Sequence, residues 1–126
     1  MTRQSGFLLL AAVGLTPIAL SYGLVPEKSL SVLFDIDASA TNVRHIFRAV
    51  MGLYLALVVF WVAGARNENL RTPALWSLVV FMFGLAAGRS ASLVVDGFPH
   101  PLLFVYLVLE ILFGVVGLWL LRSMRR

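Results

Sequence analysis

The sequence contains no cysteine, and this absence excludes disulfide bonds, thiolate metal sites and cysteine nucleophiles. Charged residues are also scarce: they make up 13% of the 126 residues, whereas 60% are hydrophobic. A chain of this length forms one domain, and a soluble domain of this size needs more charge on its surface. The composition therefore indicates a single membrane domain over residues 1–126.

Catalytic and metal-binding motifs are lacking as well. The sequence has no serine–histidine–acid order and no phosphate-binding loop, and its two histidines, His45 and His100, show no repeated spacing. We interpret them as capping or solvated histidines rather than haem or metal ligands. We therefore predict no cofactor and no metal, and a non-enzymatic role is favoured. The net charge of +4 comes from basic residues dispersed between apolar blocks, so no nucleic-acid partner is expected.

Four apolar blocks have the length of membrane-spanning helices, since about 20 residues cross the hydrocarbon core of a bilayer. They occupy residues 7–25, 44–65, 73–95 and 101–121. Short polar connectors join the second block to the third and the third to the fourth, which makes neighbouring spans antiparallel. The sequence thus predicts an all-α polytopic membrane protein, an antiparallel bundle of four transmembrane helices in the lipid bilayer.

The charged residues are distributed asymmetrically between the two faces of the predicted bundle. One face of the predicted bundle has a net charge of +5, from Arg3, Arg66, Glu68, Arg71, Arg122, Arg125 and Arg126. The other has a net charge of −1, from Glu27, Lys28, Asp35, Asp37, Arg44, Arg48, Arg89, Asp96 and Glu110. Because basic residues beside spans are retained in the cytoplasm, we expect both termini to be cytoplasmic.

Two segments allow alternative interpretations. Residues 1–21 combine a basic start, an apolar run and small residues, which is also typical of a cleaved signal peptide; the length of the run favours a span, with Pro17 as a kink. The outer connector, residues 26–40, has Leu30, Leu33 and Phe34 at helical spacing, but its apolar residues also alternate. The pattern leaves open a short interfacial helix or an extended segment.

Charged side chains lie inside three of the predicted spans. At 1.5 Å per residue, Arg48, Arg89 and Glu110 lie at depths of roughly 5–15 Å from the outer face. Each isolated charge would cost about 2.5–3.5 kcal/mol on insertion, and pairing inside the bundle offsets that cost. We therefore expect both arginines to converge on Glu110. Arg44 is closer to the surface and is interpreted as an interfacial anchor.

Helical spacing adds further residues to this layer. The predicted ligand-binding or intramembrane polar cluster consists of Arg48, Arg89, Asp96, Glu110, His45, Tyr106 and Ser92. Small residues predicted to allow close helix packing are Gly52, Gly84, Gly88, Gly114 and Gly117. Tryptophans near the cytoplasmic ends of the spans are interpreted as interfacial anchors: Trp61, Trp76 and Trp119. Snorkelling arginines, or a salt bridge that only fixes helix packing, remain alternatives for the charged layer.

Several of these residues form a recognisable set of motifs. They are Arg-x-x-x-Gly-x-Tyr from Arg48 to Tyr54, Gly88-Arg89, Asp96-Gly97-Phe98-Pro99, and Glu110 with Gly114. With them, nearly the whole chain resembles the small bacterial membrane proteins of the family domain of unknown function 4345, and more distantly the DoxX-like proteins. The resemblance implies a four-helix bacterial inner-membrane protein without an assigned biochemical role. It also implies that Arg48, Arg89, Asp96 and Glu110 are the residues that matter.

Three functions are compatible with these features. The first is binding of the polar head of an amphipathic ligand, a lipid or a quinone, in an outward-opening Arg/Glu pocket. The alternative is a structural or accessory subunit of a membrane complex, bound to a membrane protein partner or to further copies of itself, with salt bridges that serve packing only. A transporter is less favoured, because the cytoplasmic halves of the spans have almost no polar residues.

Overall fold

The structure is a computed structural model, and it describes residues 2–124. In this range the chain is helical, without β-strands, and has five helices: α1 (Arg3–Gly23), α2 (Pro26–Phe34), α3 (Thr41–Arg66), α4 (Glu68–Val95) and α5 (Pro101–Ser123). Four of them, α1, α3, α4 and α5, are long and apolar enough to cross a membrane. The predicted all-α fold with four membrane-spanning helices is confirmed. Arg125 and Arg126, counted in the charge comparison, lie outside the described residues.

Contacts between the ends of α1 and α3 show that these helices are antiparallel. The Ser5 hydroxyl, near the start of α1, donates a hydrogen bond of 3.0 Å to the carbonyl oxygen of Ala65, near the end of α3. Gly23, at the end of α1, packs against Met51 in the first half of α3. We call the side of the bundle with Ser5 and Ala65 the terminal face, and the opposite side, which carries α2, the loop face.

The other spans continue the antiparallel order. The indole nitrogen of Trp61 in α3 donates a hydrogen bond of 3.0 Å to the Ser77 hydroxyl in α4. Trp61 is fully buried, so its interpretation as an interfacial anchor is wrong: its indole faces α4 inside the bundle. Arg71 of α4 donates to the carbonyl oxygens of Gly64 and Ala65 and so satisfies the C-terminal end of α3.

Close helix contacts occur at some glycines and not at others. A Cβ atom on Gly114 would lie 2.8 Å from the Phe83 ring, and one on Gly117 would lie 2.9 Å from Val79. Gly64, which was not among the predicted positions, also lies in close contact: a Cβ atom there would meet Ala74. Three predicted packing positions, by contrast, have no described atom within 4 Å and are exposed: Gly52, Gly84 and Gly88. The prediction that these three glycines contact another helix of the chain is therefore wrong, because they face away from the neighbouring helices.

The outer connector forms a helix, α2, which settles the alternative that the sequence left open. Leu30 and Phe34 are buried beneath it, while Val32 is 81% exposed. The helix ends at Asp35, whose φ of 58° turns the chain. The Phe34 ring packs against Tyr22 and Tyr106, with centroid distances of 5.9 and 6.0 Å. Helix α2 therefore covers the loop face of the bundle.

Two residues weaken the middle of α1. Pro17 has no backbone N–H, so the carbonyl group of Val13 lacks its usual helical hydrogen bond. Gly14 is exposed and has no side chain to support its turn. The Thr16 hydroxyl donates instead to the carbonyl oxygen of Ala12, at 2.7 Å. The helix is thus continuous but poorly supported between these positions.

Candidate functional site

An ion pair inside the bundle is the centre of the candidate site. Arg89 Nε lies 2.9 Å from Oε1 and 3.1 Å from Oε2 of Glu110. Arg89 stands in the half of α4 nearer the loop face, and Glu110 follows the first residue of α5 by nine positions, about 13 Å along the helix axis. The Glu110 side chain is only 8% exposed and that of Arg89 is 23% exposed. A charge this deep in an apolar helix requires such a partner.

Two tyrosines contact the Arg89 guanidinium group, and a third packs against one of them. Arg89 Nη2 lies 3.5 Å from the Tyr22 hydroxyl oxygen, and the guanidinium carbon lies 5.8 Å from the centre of the Tyr106 ring. Tyr54 packs edge-on against Tyr22, with 5.6 Å between the ring centroids. α1, α3, α4 and α5 therefore all contribute to one group of polar side chains.

These residues line a cavity of about 90 Å³. Its wall consists of Ala11, Gly14, Leu15, Ile18, Tyr22, Tyr54, Met82, Leu85, Arg89, Tyr106, Leu109, Glu110 and Phe113. A cavity of roughly 150 Å³ lined by apolar residues binds benzene, so this one has room for a small head group rather than for a whole lipid. Its wall is apolar except at the ion pair and the tyrosines.

A second cavity, of about 110 Å³, lies on the other side of Arg89, towards the loop face. Ser92, Gly97 and Pro99 contribute to its wall. The Ser92 hydroxyl donates a hydrogen bond of 2.6 Å to Asp96 Oδ2, and both side chains are exposed. Of the predicted residues, Ser92 is therefore one turn and Asp96 two turns from Arg89, on the loop-face side of the ion pair, and neither lines the first cavity.

The structure does not bring Arg48 and His45 to Glu110, so the expectation that two arginines converge on this carboxylate is wrong. Both are exposed and line a shallow surface depression with Arg44. The reason is the helical period: the buried Tyr54 marks the inward side of α3, and Arg48, six residues earlier, points about 120° away from it. Within residues 2–124, Arg48 forms no ion pair, and Arg44 pairs with Glu27 at 3.1 Å on the surface.

Tyr22 and Tyr54 line the cavity but were not among the predicted site residues. Tyr22 lies one residue before the end of α1, where tyrosine is typical of the membrane interface. Tyr54 is the last residue of the Arg-x-x-x-Gly-x-Tyr motif. One signal in the sequence was available for Tyr54: it lies 13 residues, about 20 Å, into α3, and a tyrosine hydroxyl inside a bundle needs a polar neighbour.

The electrostatics of the site favour neutral ligands. Arg89 and Glu110 compensate each other, so the pair has no net charge. Arginine has five N–H donors, and those on Arg89 Nη1 make no hydrogen bond to any residue between 2 and 124. The described residues contain no group of histidine, aspartate and glutamate side chains that could hold a metal ion. The site therefore offers hydrogen-bond donors without an excess charge.

Comparison with known proteins supports the relationship that the motifs suggested. No curated protein and no solved structure matches the chain. The more distant resemblance to DoxX-like proteins stays a prediction. A family model described as a domain of unknown function, DUF4345, matches residues 4–121 and therefore includes every span and the ion pair. The chain belongs to the DUF4345 family.

Proposed function

We propose that this protein binds the polar head of an amphipathic ligand, a lipid or a quinone, in the cavity beside Arg89 and Glu110. The observation that carries the proposal is an ion pair with unused N–H donors at the wall of an apolar cavity. An ion pair that served packing alone would need no space beside it. Here the space is about 90 Å³ and three tyrosines border it.

The cavity has the composition of a small-molecule site. Such sites are concave and mostly apolar, with a few polar groups that orient the ligand. Arg89 supplies donors to a carbonyl, carboxylate or phosphate oxygen, while Glu110 holds the guanidinium group in place. Tyr54 adds a hydroxyl group that has no hydrogen-bond partner in the described part of the chain. Together these groups suit an oxygen-bearing head with an apolar remainder.

We also propose the bacterial inner membrane as the location, with both termini in the cytoplasm. Arg3, Arg66, Arg71 and Arg122 lie at or near the ends of spans on the terminal face, which is thus the more basic one. Positive residues beside spans are retained in the cytoplasm. On this arrangement the cavity lies in the outer half of the bilayer, and α2 lies on the periplasmic surface.

The test is to purify the protein in mild detergent and identify the extracted lipids and quinones by mass spectrometry. Arg89→Ala and Glu110→Gln should lose a molecule that the wild type retains. Arg48→Ala is the matched control, because it removes an arginine of similar depth that lies outside the cavity. If both cavity variants fold and retain the same molecules as wild type, the proposal is overturned.

A structural or accessory role in a membrane complex is the second candidate. The observation that favours it is the exposed row Gly84–Gly88 on α4, where no described atom lies within 4 Å of either position. Small residues four apart allow two transmembrane helices to approach closely. Native mass spectrometry in mild detergent tests this role: a Gly88-dependent dimer or bound partner supports it, and a clean monomer in wild type and in Gly88→Leu contradicts it.

A further inference from the structure

We infer that the ligand reaches the cavity sideways from the bilayer, between α1 and α5, and that its head is an uncharged oxygen-bearing group such as a quinone carbonyl. This inference rests on the proposed function and adds the route and the class of ligand to it. The prediction from sequence was a pocket open towards the outside. The positions of α2 and of the exposed residues at the cavity favour a lateral opening instead.

The exposed part of the cavity wall lies well inside two helices. Gly14 of α1 is exposed, and Leu109 of α5 is 41% exposed. Both are members of the cavity wall, and they lie nine and eight residues, about 13 and 12 Å, from the loop-face ends of their helices. An opening between them is at the height of the hydrocarbon core. An apolar chain can therefore stay in the lipid, with the ring of the head at the opening and one of its oxygen-bearing edges inside the cavity.

Packing closes the other directions. Towards the terminal face, Phe7 of α1 and Phe113 of α5 pack with 5.4 Å between their ring centroids, which joins the two helices below the opening. Towards the loop face, the buried ring of Phe34 covers Tyr22 and Tyr106. The two helices thus meet below the cavity and are bridged above it by α2. Between these contacts the side of the bundle is open.

Charge selects the head group. Glu110 already neutralises Arg89, so a carboxylate or phosphate head would add an uncompensated negative charge to a site of low dielectric constant. A carbonyl or hydroxyl oxygen can accept hydrogen bonds from the free N–H groups of Arg89 and contact the tyrosine hydroxyls without adding a charge. The apolar residues Leu15, Ile18 and Met82 suit the apolar edge of a ring whose carbonyl group enters the cavity. A quinone combines these features.

Gly14 allows a specific obstruction of the opening. A Cβ atom at this position would meet no described atom within 4 Å, so a larger side chain can start there without a clash at its first atom. The neighbouring Val13 is 71% exposed and does not belong to the cavity wall. Gly14→Trp and Val13→Trp therefore form a matched pair, in which the same ring is placed on or beside the opening.

The experiment measures binding of a short-chain ubiquinone to wild type and variants in lipid nanodiscs, by mass spectrometry of the retained quinone, with oleate as the anionic comparison. We expect Gly14→Trp to weaken ubiquinone binding about tenfold or more, Val13→Trp to leave it unchanged, and oleate to bind more weakly than ubiquinone. Leu109→Trp obstructs the same opening from α5 and replaces Gly14→Trp if that variant does not fold.

The outcomes separate the inference from the proposed function. If Glu110→Gln loses ubiquinone while Gly14→Trp and Leu109→Trp bind like wild type, the lateral route is wrong and the cavity remains the binding site. If oleate binds more tightly than ubiquinone, the uncharged class is wrong. If none of the variants, including Glu110→Gln, changes the retained molecules, both the inference and the proposed function fail.

Discussion

Arg89 contacts Glu110 through Nε, which lies 2.9 and 3.1 Å from the two carboxylate oxygens. The guanidinium group is therefore held by one edge, and its terminal nitrogens point elsewhere: Nη2 lies 3.5 Å from the Tyr22 hydroxyl. In a two-nitrogen contact, more of the donors would be occupied by the carboxylate. In the observed geometry, Nε binds the carboxylate, and the terminal nitrogens can donate hydrogen bonds to a ligand.

Replacing the whole pair should separate its structural role from its binding role. Arg89→Met or Glu110→Met alone leaves one charge uncompensated and should destabilise the folded protein by about 3 kcal/mol. The double variant removes both charges and should return to within about 1 kcal/mol of wild type, yet retain no ligand. Reversible unfolding in mixed micelles gives the stabilities, and lipid extraction gives the binding. A double variant that still binds the ligand would contradict the proposed role of the pair.

Two glycines in the spans should respond oppositely to alanine. At Gly64, an added methyl group meets the Cβ atom of Ala74 and lies 3.2 Å from the Leu70 carbonyl oxygen, so Gly64→Ala should destabilise the fold by about 1–3 kcal/mol. At Gly84 the methyl group enters open space, and Gly84→Ala should stabilise the fold by about 0.5–1 kcal/mol, because alanine is the better helix former. Thermal unfolding of both variants checks the pair. Equal losses would mean that α3 and α4 pack differently from the structure.

Phe34 is expected to shield the polar cluster from the aqueous side. Phe34→Ala removes the ring that covers Tyr22 and Tyr106, and should increase hydrogen exchange of the amides in the last turn of α1. Val32→Ala, at the exposed position two residues earlier, is the control and should leave exchange unchanged. Exchange followed by mass spectrometry measures both. Unchanged exchange in Phe34→Ala would show that α2 does not close the loop face.

The absence of cysteine makes the proposed orientation easy to examine. Ser39→Cys places a thiol on the loop face, and Asn69→Cys places one on the terminal face; both positions are exposed. In intact spheroplasts, a membrane-impermeant maleimide should label Ser39→Cys only. Both variants should react after the membrane is permeabilised. The opposite labelling pattern would place the termini outside and reject the proposal.

The sequence predicted what depends on composition and depth. Apolar length located the four spans, and the depth of Glu110 and Arg89 placed them in one layer, because a bilayer constrains position along its normal. Rotation about the helix axis is not constrained in this way. α3 has two sets of residues at helical spacing, one with Arg48 and one with Tyr54, and the packing of α1 and α4 selects the second.

Other features depended on tertiary contacts. The apolar residues of the connector, residues 26–40, fit both helical spacing and the alternation of a strand. The helix forms because it places Phe34 on the hydrophobic surface of Tyr22 and Tyr106. The glycine prediction was right at Gly114 and Gly117 because α5 packs closely on α4. It was wrong at Gly84 because small residues suit an exposed helix surface as well as a contact within the bundle. No periodicity distinguishes these two surroundings.

Pro17 is expected to affect the rate at which a ligand exchanges rather than its dissociation constant. It removes the hydrogen bond to the Val13 carbonyl group next to Gly14, so α1 is least rigid beside the inferred opening. Bending there would move the half of α1 that carries Phe7 relative to the half that carries Tyr22, and so change the width of the gap. We expect Pro17→Ala to slow the exchange of bound quinone several-fold while its dissociation constant stays the same, as stopped-flow exchange in nanodiscs would show. A backbone imperfection would then set how long a molecule resides in the protein.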